Sequence, residues 1–297
     1  MRVFVTGASG WVGSSVVAEL LGAGHQVLGL ARSDASAAKI ERLGAQVHRG
    51  DLSDSEALRK GAAETDAVLH LAYNHDFAQM AEAGKADRAA LTAFAAEFAG
   101  SDRPVVIPSG LLGLPTGREA TEEDVPEPHE ALPPRSLAER LAKDLAHEQG
   151  VRTAVVRLAP TVHGAGDWGF ITSYVAIARK LGTAYYIGDG TNRWPTISRA
   201  DAARLFRLSI ERPHPGAVLH GAAAHASFAE IADAVGRRLG IPVASTDAEQ
   251  AEERFGPLAA FYSLGVQVST TATRERYGWE PTGPTLLEDI ADGAYTG

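Results

Sequence analysis

The chain has 297 residues, 45% of them apolar, enough for one large α/β domain or for one with a smaller lobe beside it. Twenty-eight Lys and Arg against 37 Asp and Glu leave a net charge of −9, which speaks against nucleic acid or an anionic membrane as partner. Cysteine is absent, so disulfides, thiolate nucleophiles and Cys-ligated metals are excluded.

Met1-Arg2 leads directly into the apolar run Val3-Phe4-Val5, which reads as a buried strand and leaves no room for a leader peptide. No apolar stretch approaches the ~18 residues of a membrane span, and the expected location is the cytoplasm. The first strand is followed by Thr6-Gly7-Ala8-Ser9-Gly10-Trp11-Val12-Gly13 and then by a helical stretch over 16–21. Glycines at 7, 10 and 13 therefore occupy a strand-to-helix turn. Such a turn needs positive φ and close backbone approach, and its helix N-terminus directs N–H groups and dipole at an anion. The spacing T-G-x-x-G-x-x-G in this context points to a dinucleotide diphosphate held by Gly7, Ser9, Gly10, Trp11, Val12 and Gly13.

A second strand over 26–31 ends at Arg32-Ser33, with Arg32 nineteen residues beyond Gly13. An acidic residue here would bind the ribose 2′-OH of NAD; an arginine accommodates the 2′-phosphate of NADP. The expected cofactor is NADP(H), with NAD(H) as the alternative, and Arg32 and Ser33 as its contacts.

Helix 35–43, strand 46–52, helix 53–60 capped by Ser53 or Asp54, strand 66–72, helix 77–98 and strand 104–108 follow. A polar loop over 121–134 is drawn either over a cleft or out to solvent. Helix 136–149 and strand 153–158 complete the alternation. This pattern defines an α/β fold, a doubly wound parallel sheet of the Rossmann type. After Pro160 the pattern breaks into short strands at 184–187 and 194–197, helices at 199–211 and 227–239, and a short helix within 270–280. The expected division is a dinucleotide-binding domain over 1–160, also receiving part of 194–220, and a mainly substrate-binding lobe over 161–297.

These landmarks, in order and in spacing, resemble the extended and atypical branch of the short-chain dehydrogenase/reductase superfamily. Thr6 to Gly13 is similar to its phosphate loop, and Asp51-Leu52 to the pair that contacts adenine. Leu71-Ala72-Tyr73 is similar to the stretch that lies along the cofactor. The run from Arg157 through Pro160 and Val162 to Gly164 resembles its R-x-x-x-V-Y-G region, with His163 in place of Tyr. Trp194 to Ala203 resembles F-I-H-V-D-D-L-A. The variants at 72–77 and 188–194 resemble a subgroup labelled NAD-dependent epimerase/dehydratase. The resemblance implies that Asp51, Leu52, Leu71, Ala72, Tyr73, Pro160 and Val162 touch the cofactor.

The resemblance fails at the chemistry. The family's acid is the tyrosine of Y-x-x-x-K, yet Arg135 stands at the tyrosine position and Glu139 at the lysine position, and no tyrosine occurs between Tyr73 and Tyr174. Arg135 and Glu139 lie one helical turn apart and either pair toward the cofactor or pair on the surface. Substitute donors are sought at strand carboxyl ends. Ser109 and Tyr73 offer neutral hydroxyls, and His75 and His163 offer imidazoles that titrate near neutrality. Each also has a plain structural role open to it: a turn at Ser109, packing at Tyr73, a helix cap at His75, a backbone bond at His163. Trp168, Tyr174, Tyr185, Tyr186 and Trp194 are expected in the core, with one or two left open as lining for an aromatic substrate. No metal-ligand spacing is present. The expected activity is NADPH-dependent reduction of a small carbonyl, imine or conjugated alkene. The alternatives are a redox-neutral epimerase or dehydratase-like reaction and a non-enzymatic NADP sensor. A small-molecule substrate is the expected partner, and a homodimer is compatible with the sequence.

Overall fold

The computed structural model describes residues 1–76, 79–126 and 135–296. Its first half alternates β1 (Arg2–Thr6), α1 (Trp11–Gly22), β2 (Gln26–Ala31), α2 (Asp34–Arg42), β3 (Gln46–Arg49), α3 (Ser55–Ala63), β4 (Ala67–His70), α4 (Met80–Phe98), β5 (Val105–Gly110), α5 (Arg135–Gln149) and β6 (Thr153–Leu158). The second half holds β7 (Thr161–His163), α6 (Phe170–Leu181), β8 (Ala184–Ile187), β9 (Arg193–Ser198), α7 (Arg199–Glu211), β10 (Ala217–Gly221), β11 (Ala224–Ser227) and α8 (Phe228–Leu239). It closes with β12 (Val243–Thr246), α9 (Ala248–Phe255), α10 (Ala259–Ser263), α11 (Thr271–Tyr277) and α12 (Leu286–Ala291).

Seven parallel strands form the main sheet in the order β10-β6-β5-β4-β1-β2-β3. β1, β4, β5 and β6 are buried along nearly their whole length, as strands covered by helices on both faces must be. Alternation along β1 sorts the two cores. Val3 and Val5 join Val16, Val17, Leu20 and Phe206 on one face; Phe4 joins Leu58, Phe94 and Phe98 on the other. Chain order reverses between β1 and β4, so a crevice opens at their carboxyl ends.

A third core holds Ile171, Tyr174, Trp194, Phe228 and Tyr262. Around it lie the three-stranded sheet β11-β9-β7 and the parallel pair β12-β8. The chain does not stay in this lobe. β10 pairs with β6, and Val266, Val268, Tyr277 and Trp279 are buried in the first core of the main sheet. No helix among the described residues is long and apolar enough to cross a membrane.

Several boundaries differ from the sequence expectation. The third and fourth strands are shorter, because the chain leaves the sheet at Gly50 and Leu71. β5 runs two residues further than the apolar pattern and takes Ser109 into the sheet opposite Arg157. α2 begins at Asp34 with Ser33 as its cap, and Asp54 caps α3 through the N–H groups of Glu56 and Ala57. α4 is described from Met80; residues 77–78 of the expected helix lie outside the described residues. Neither α6 nor β10 was expected.

Buried polar groups join β6, α5 and β10. Arg157, fully buried, donates from Nε to Glu139 Oε2 (3.1 Å) and from Nη2 to Glu139 Oε1 (2.5 Å). It also donates to the Asp124 carbonyl (2.6 Å), and its Nη1 lies 3.1 Å from His220 Nε2. His220 Nδ1 lies 2.8 Å from the Ser269 carbonyl, so Nδ1 carries the hydrogen and Nε2 accepts from Arg157. Burial drives the His220 pKa down to about 4, against the pull of the Ser269 carbonyl and of Glu122, and with the Arg157 charge pushing the same way. Unfolded, the same imidazole titrates near ~6.5. The unfolded chain therefore binds a proton first, and the stability His220 contributes is full above about pH 6.5 and lost as the pH falls toward 4, by on the order of 3 kcal/mol. Urea midpoints measured from pH 7.5 to 4.5 should fall more steeply for the wild type than for His220→Gln. Equal slopes would remove His220 from the acid response.

Candidate functional site

The glycine turn has three distinct roles. Gly7 has φ +67°, and a Cβ there would lie 2.7 Å from Ala72 N and 2.8 Å from the Leu71 carbonyl carbon. A Cβ on Gly13 would lie 2.0 Å from the Gly7 carbonyl oxygen, so Gly13 permits the helix to start this close to the strand. Gly10 is different: a Cβ there meets only the Gly7 oxygen, at 3.1 Å. Gly10 is exposed, caps α1 with no side-chain bond, and leaves the first N–H groups of the helix, at Trp11 and Val12, without an acceptor among the described residues. Ser9, half-buried, precedes it. A cradle of unsatisfied N–H groups with a space that a side chain would fill is what a diphosphate fits.

Around the end of β2 the arrangement is open. Arg32 is exposed, with no ion pair or hydrogen bond to another described residue. Ser33 is occupied as a helix cap, and Asp34 pairs with Arg49 at 2.6 Å. Asp51 accepts from the Ser53 N–H and hydroxyl through one carboxylate oxygen, and these bonds, backbone first, hold its pKa below the usual carboxylate value. Leu52 packs half-buried beside the second core.

At the switch point, Thr6 Oγ1 accepts the Ala72 N–H (3.1 Å) and lies 2.7 Å from His70 Nδ1. His70 Nε2 is 3.2 Å from Asp87 Oδ1 on α4, and both residues are buried. His70 ties the glycine turn to the exit of β4 and sets the path of Leu71 and Ala72.

Beyond that exit a row of rings and a cation crosses the crevice. The Arg135 guanidinium carbon lies 3.8 Å over the Tyr73 ring, and Nη1 donates to the Pro108 carbonyl at 3.4 Å. Tyr73 meets His75 edge-on with centroids 5.4 Å apart, and His75 meets Trp168 at 6.0 Å. The Tyr73 hydroxyl is buried with no hydrogen-bond partner among the described residues. Burial raises the Tyr73 pKa, opposed by the Arg135 and Arg88 charges and aided by Asp87. The rings around His75, and then the Arg135 charge, lower the His75 pKa. Ser109, 5% exposed on β5, follows the Pro108 carbonyl that Arg135 touches, and its hydroxyl has no partner among the described residues.

The expectation of an Arg135–Glu139 pair is corrected. Arg135 and Glu139 do not pair with each other: Glu139 is drawn inward by Arg157, while the Arg135 guanidinium carbon sits over the Tyr73 ring. Burial raises the Glu139 pKa, but the bonds and charge of Arg157, with Lys143 at 3.3 Å, more than offset this and leave it lowered. His75 does not cap α4, whose cap position is Gln79. His163 is 1% exposed on β7 with Nδ1 2.6 Å from Asp289 Oδ2, and no contact joins it to Tyr73, His75 or Ser109. Trp11 donates from its indole to the Val162 carbonyl (2.7 Å) and stacks under Arg199 at 4.1 Å. Trp11 and Val162 thus seat the lobe on α1; Pro160 is half-buried just before them. Of the expected core aromatics, Tyr174 and Trp194 are fully buried, Tyr185 and Tyr186 half-buried, and Trp168 is 62% exposed. The polar loop lies outside the described residues over 127–134. Its earlier part is anchored: Glu122 accepts from the Thr273 N–H and hydroxyl, and Asp124 pairs with Arg118.

The parallel Rossmann sheet, the glycine turn on its first strand and the side chains gathered at the switch point define an extended short-chain dehydrogenase/reductase fold. The chain belongs to the NAD dependent epimerase/dehydratase family, which it matches over residues 3–221. It is 42% identical to an uncharacterized protein of Schizosaccharomyces pombe, over 99% of this chain and 100% of that one. It is 28% identical to a 2-alkyl-3-oxoalkanoate reductase of Stenotrophomonas maltophilia, over 75% of this chain and 69% of the relative. Among solved structures, UDP-glucose 4-epimerase of Thermotoga maritima superposes with a TM-score of 0.77 at 19% identity, covering 99% of this chain and 98% of the other.

The three glycines separate folding from binding. Gly13→Ala forces a Cβ into the Gly7 carbonyl and should unfold the turn, with a large fall in melting temperature. Gly10→Ala should cost about 1 kcal/mol as a weakened cap, yet lose dinucleotide affinity in titration. A folded Gly10→Ala protein with unchanged affinity would rule out the diphosphate assignment.

Proposed function

We propose that the protein is an NADPH-dependent reductase of a small carbonyl compound, an imine or a conjugated alkene. The observation that carries the reading is the character of the groups at the carboxyl ends of β4 and β5: the Tyr73 hydroxyl, the Ser109 hydroxyl and the Arg135 guanidinium all donate, and none is set to take a proton. Redox-neutral epimerisation begins by oxidising an alcohol, which needs a base. Burial raises the Tyr73 pKa, arginine does not deprotonate, Glu139 is committed to Arg157, and burial with the Arg135 charge lowers the His75 pKa, so that each serves less readily as a base. Reduction needs the opposite, donors aimed at an oxygen on which negative charge develops. The similarity to a 2-alkyl-3-oxoalkanoate reductase supports this direction.

The turn from Gly7 to Gly13 would hold the diphosphate, Arg32 and Ser33 the 2′-phosphate, and Asp51, Leu52, Leu71 and Ala72 the adenosine and nicotinamide ribose sides. A dihydronicotinamide bound there supplies the hydride. The chain's own part is to place the reducible group between Ser109 and Tyr73, to donate to its oxygen, and to keep water off it with the Tyr73–His75–Trp168 row.

Absorbance at 340 nm with a panel of small ketones, imines and enones should show net NADPH consumption. Tyr73→Phe and Ser109→Ala should each lower kcat by about 10²–10³, the usual cost of one lost oxyanion donor. Tight NADPH binding with no net oxidation across the panel would overturn the reading. For cofactor choice, Arg32→Ala should weaken NADPH binding by roughly ten- to a hundredfold and NADH binding little. Equal wild-type affinities for the two cofactors would refute the 2′-phosphate assignment.

A further inference from the structure

Arg135 lies over the Tyr73 ring and the Arg88 charge acts on the hydroxyl of the same residue, and neither arginine lies within 4 Å of a carboxylate among the described residues. Arg135 uses one N–H on the Pro108 carbonyl, at the long distance of 3.4 Å; its other donors have no acceptor among the described residues. Arg88 on α4 is half-buried and close enough for its charge to act on the Tyr73 hydroxyl. The carboxylate that bears on both Tyr73 and Arg135 is Asp87, and Asp87 is turned to His70. The corner is thus locally cationic in a chain of net charge −9. A cation half removed from water without an anionic partner is unfavourable, and a ligand carboxylate removes that cost through a planar, two-pronged contact.

We propose that Arg135 holds a carboxylate of the substrate, so that the substrate is a planar oxo acid whose reducible oxygen lies close to its carboxylate. Arg135 and Ser109 are neighbours through Pro108, which places an anion holder beside an oxyanion donor, as a 2- or 3-oxo acid requires. The edge-to-face row of Tyr73, His75 and the exposed Trp168 gives the rest of such a molecule aromatic surface to pack on. The identity of the reducible oxygen rests on the reductase reading; the anion site does not.

The probes are benzoylformate and its neutral methyl ester, titrated against the protein while tryptophan emission is followed, with Trp168→Phe as the control for signal origin. Benzoylformate should saturate and bind about ten- to a hundredfold more tightly than the ester. Arg135→Gln, shown to be folded by its melting curve, should lose that preference, and Arg135→Lys should keep part of it. Equal binding of acid and ester, binding of neither, or an Arg135→Gln protein that binds the acid normally would overturn the anion site. NADPH oxidation is read separately on the same samples. Selective acid binding without oxidation sustains the anion site and removes the reductase reading; oxidation of acid and ester at equal efficiency does the reverse.

Discussion

The backbone of Gly7 lies so near that of Leu71 and Ala72 that a Cβ would come within 2.7–2.9 Å of it. Gly13 packs as closely on Gly7, and Thr6 binds both the Ala72 N–H and His70. These contacts bring the end of β1, the start of α1 and the exit of β4 to one point. Everything in the candidate site is placed from there: the unpaired first N–H groups of α1 on one side, and Tyr73 and His75 on the other. The lobe is seated on the same helix, through the Trp11 indole on the Val162 carbonyl and through Arg199, which donates to Ser14 (2.6 Å) while stacking on Trp11.

The loss of tyrosine and lysine from α5 is one physical change rather than two. With Arg157 wholly buried on β6, the facing residue of α5 must be an anion; a lysine at 139 would set three cations, with Lys143, around one buried point. Glu139 neutralises Arg157, and His220, kept neutral by burial, accepts a further guanidinium N–H. One turn earlier, Arg135 is freed from any ion pair with Glu139 and lies on the Tyr73 ring, an arrangement that favours a planar guanidinium over an ammonium. The donors of the proposed reductase site and its cationic corner both follow from this exchange.

Much of the framework was legible because it is written locally. Apolar runs of strand length alternate with helical periodicity up to Leu158, and six of the seven main strands lie in that stretch. The glycine spacing, Ser109, Tyr73 and His75 could be picked out because turns and strand ends mark themselves in composition. β10 could not, since Ala217–Gly221 becomes a strand by pairing with β6 some sixty residues earlier. The burial of His163 against Asp289 spans 126 residues and left no trace in the residues around either. Trp168 looked like core by residue type, yet the loop it occupies holds it outward, edge-on to His75.

By itself the sequence determined the parallel α/β architecture, the turn suited to a dinucleotide, and the absence of the usual tyrosine and lysine. Those depend on residue type and on spacings of a few positions, which the backbone obeys wherever it is. Only the tertiary structure decided what Arg135, Glu139, His163 and Trp168 do. Whether a charged or aromatic side chain pairs, stacks or stays free depends on which distant groups the sheet carries to within a few ångströms of it, and on how much water those groups displace.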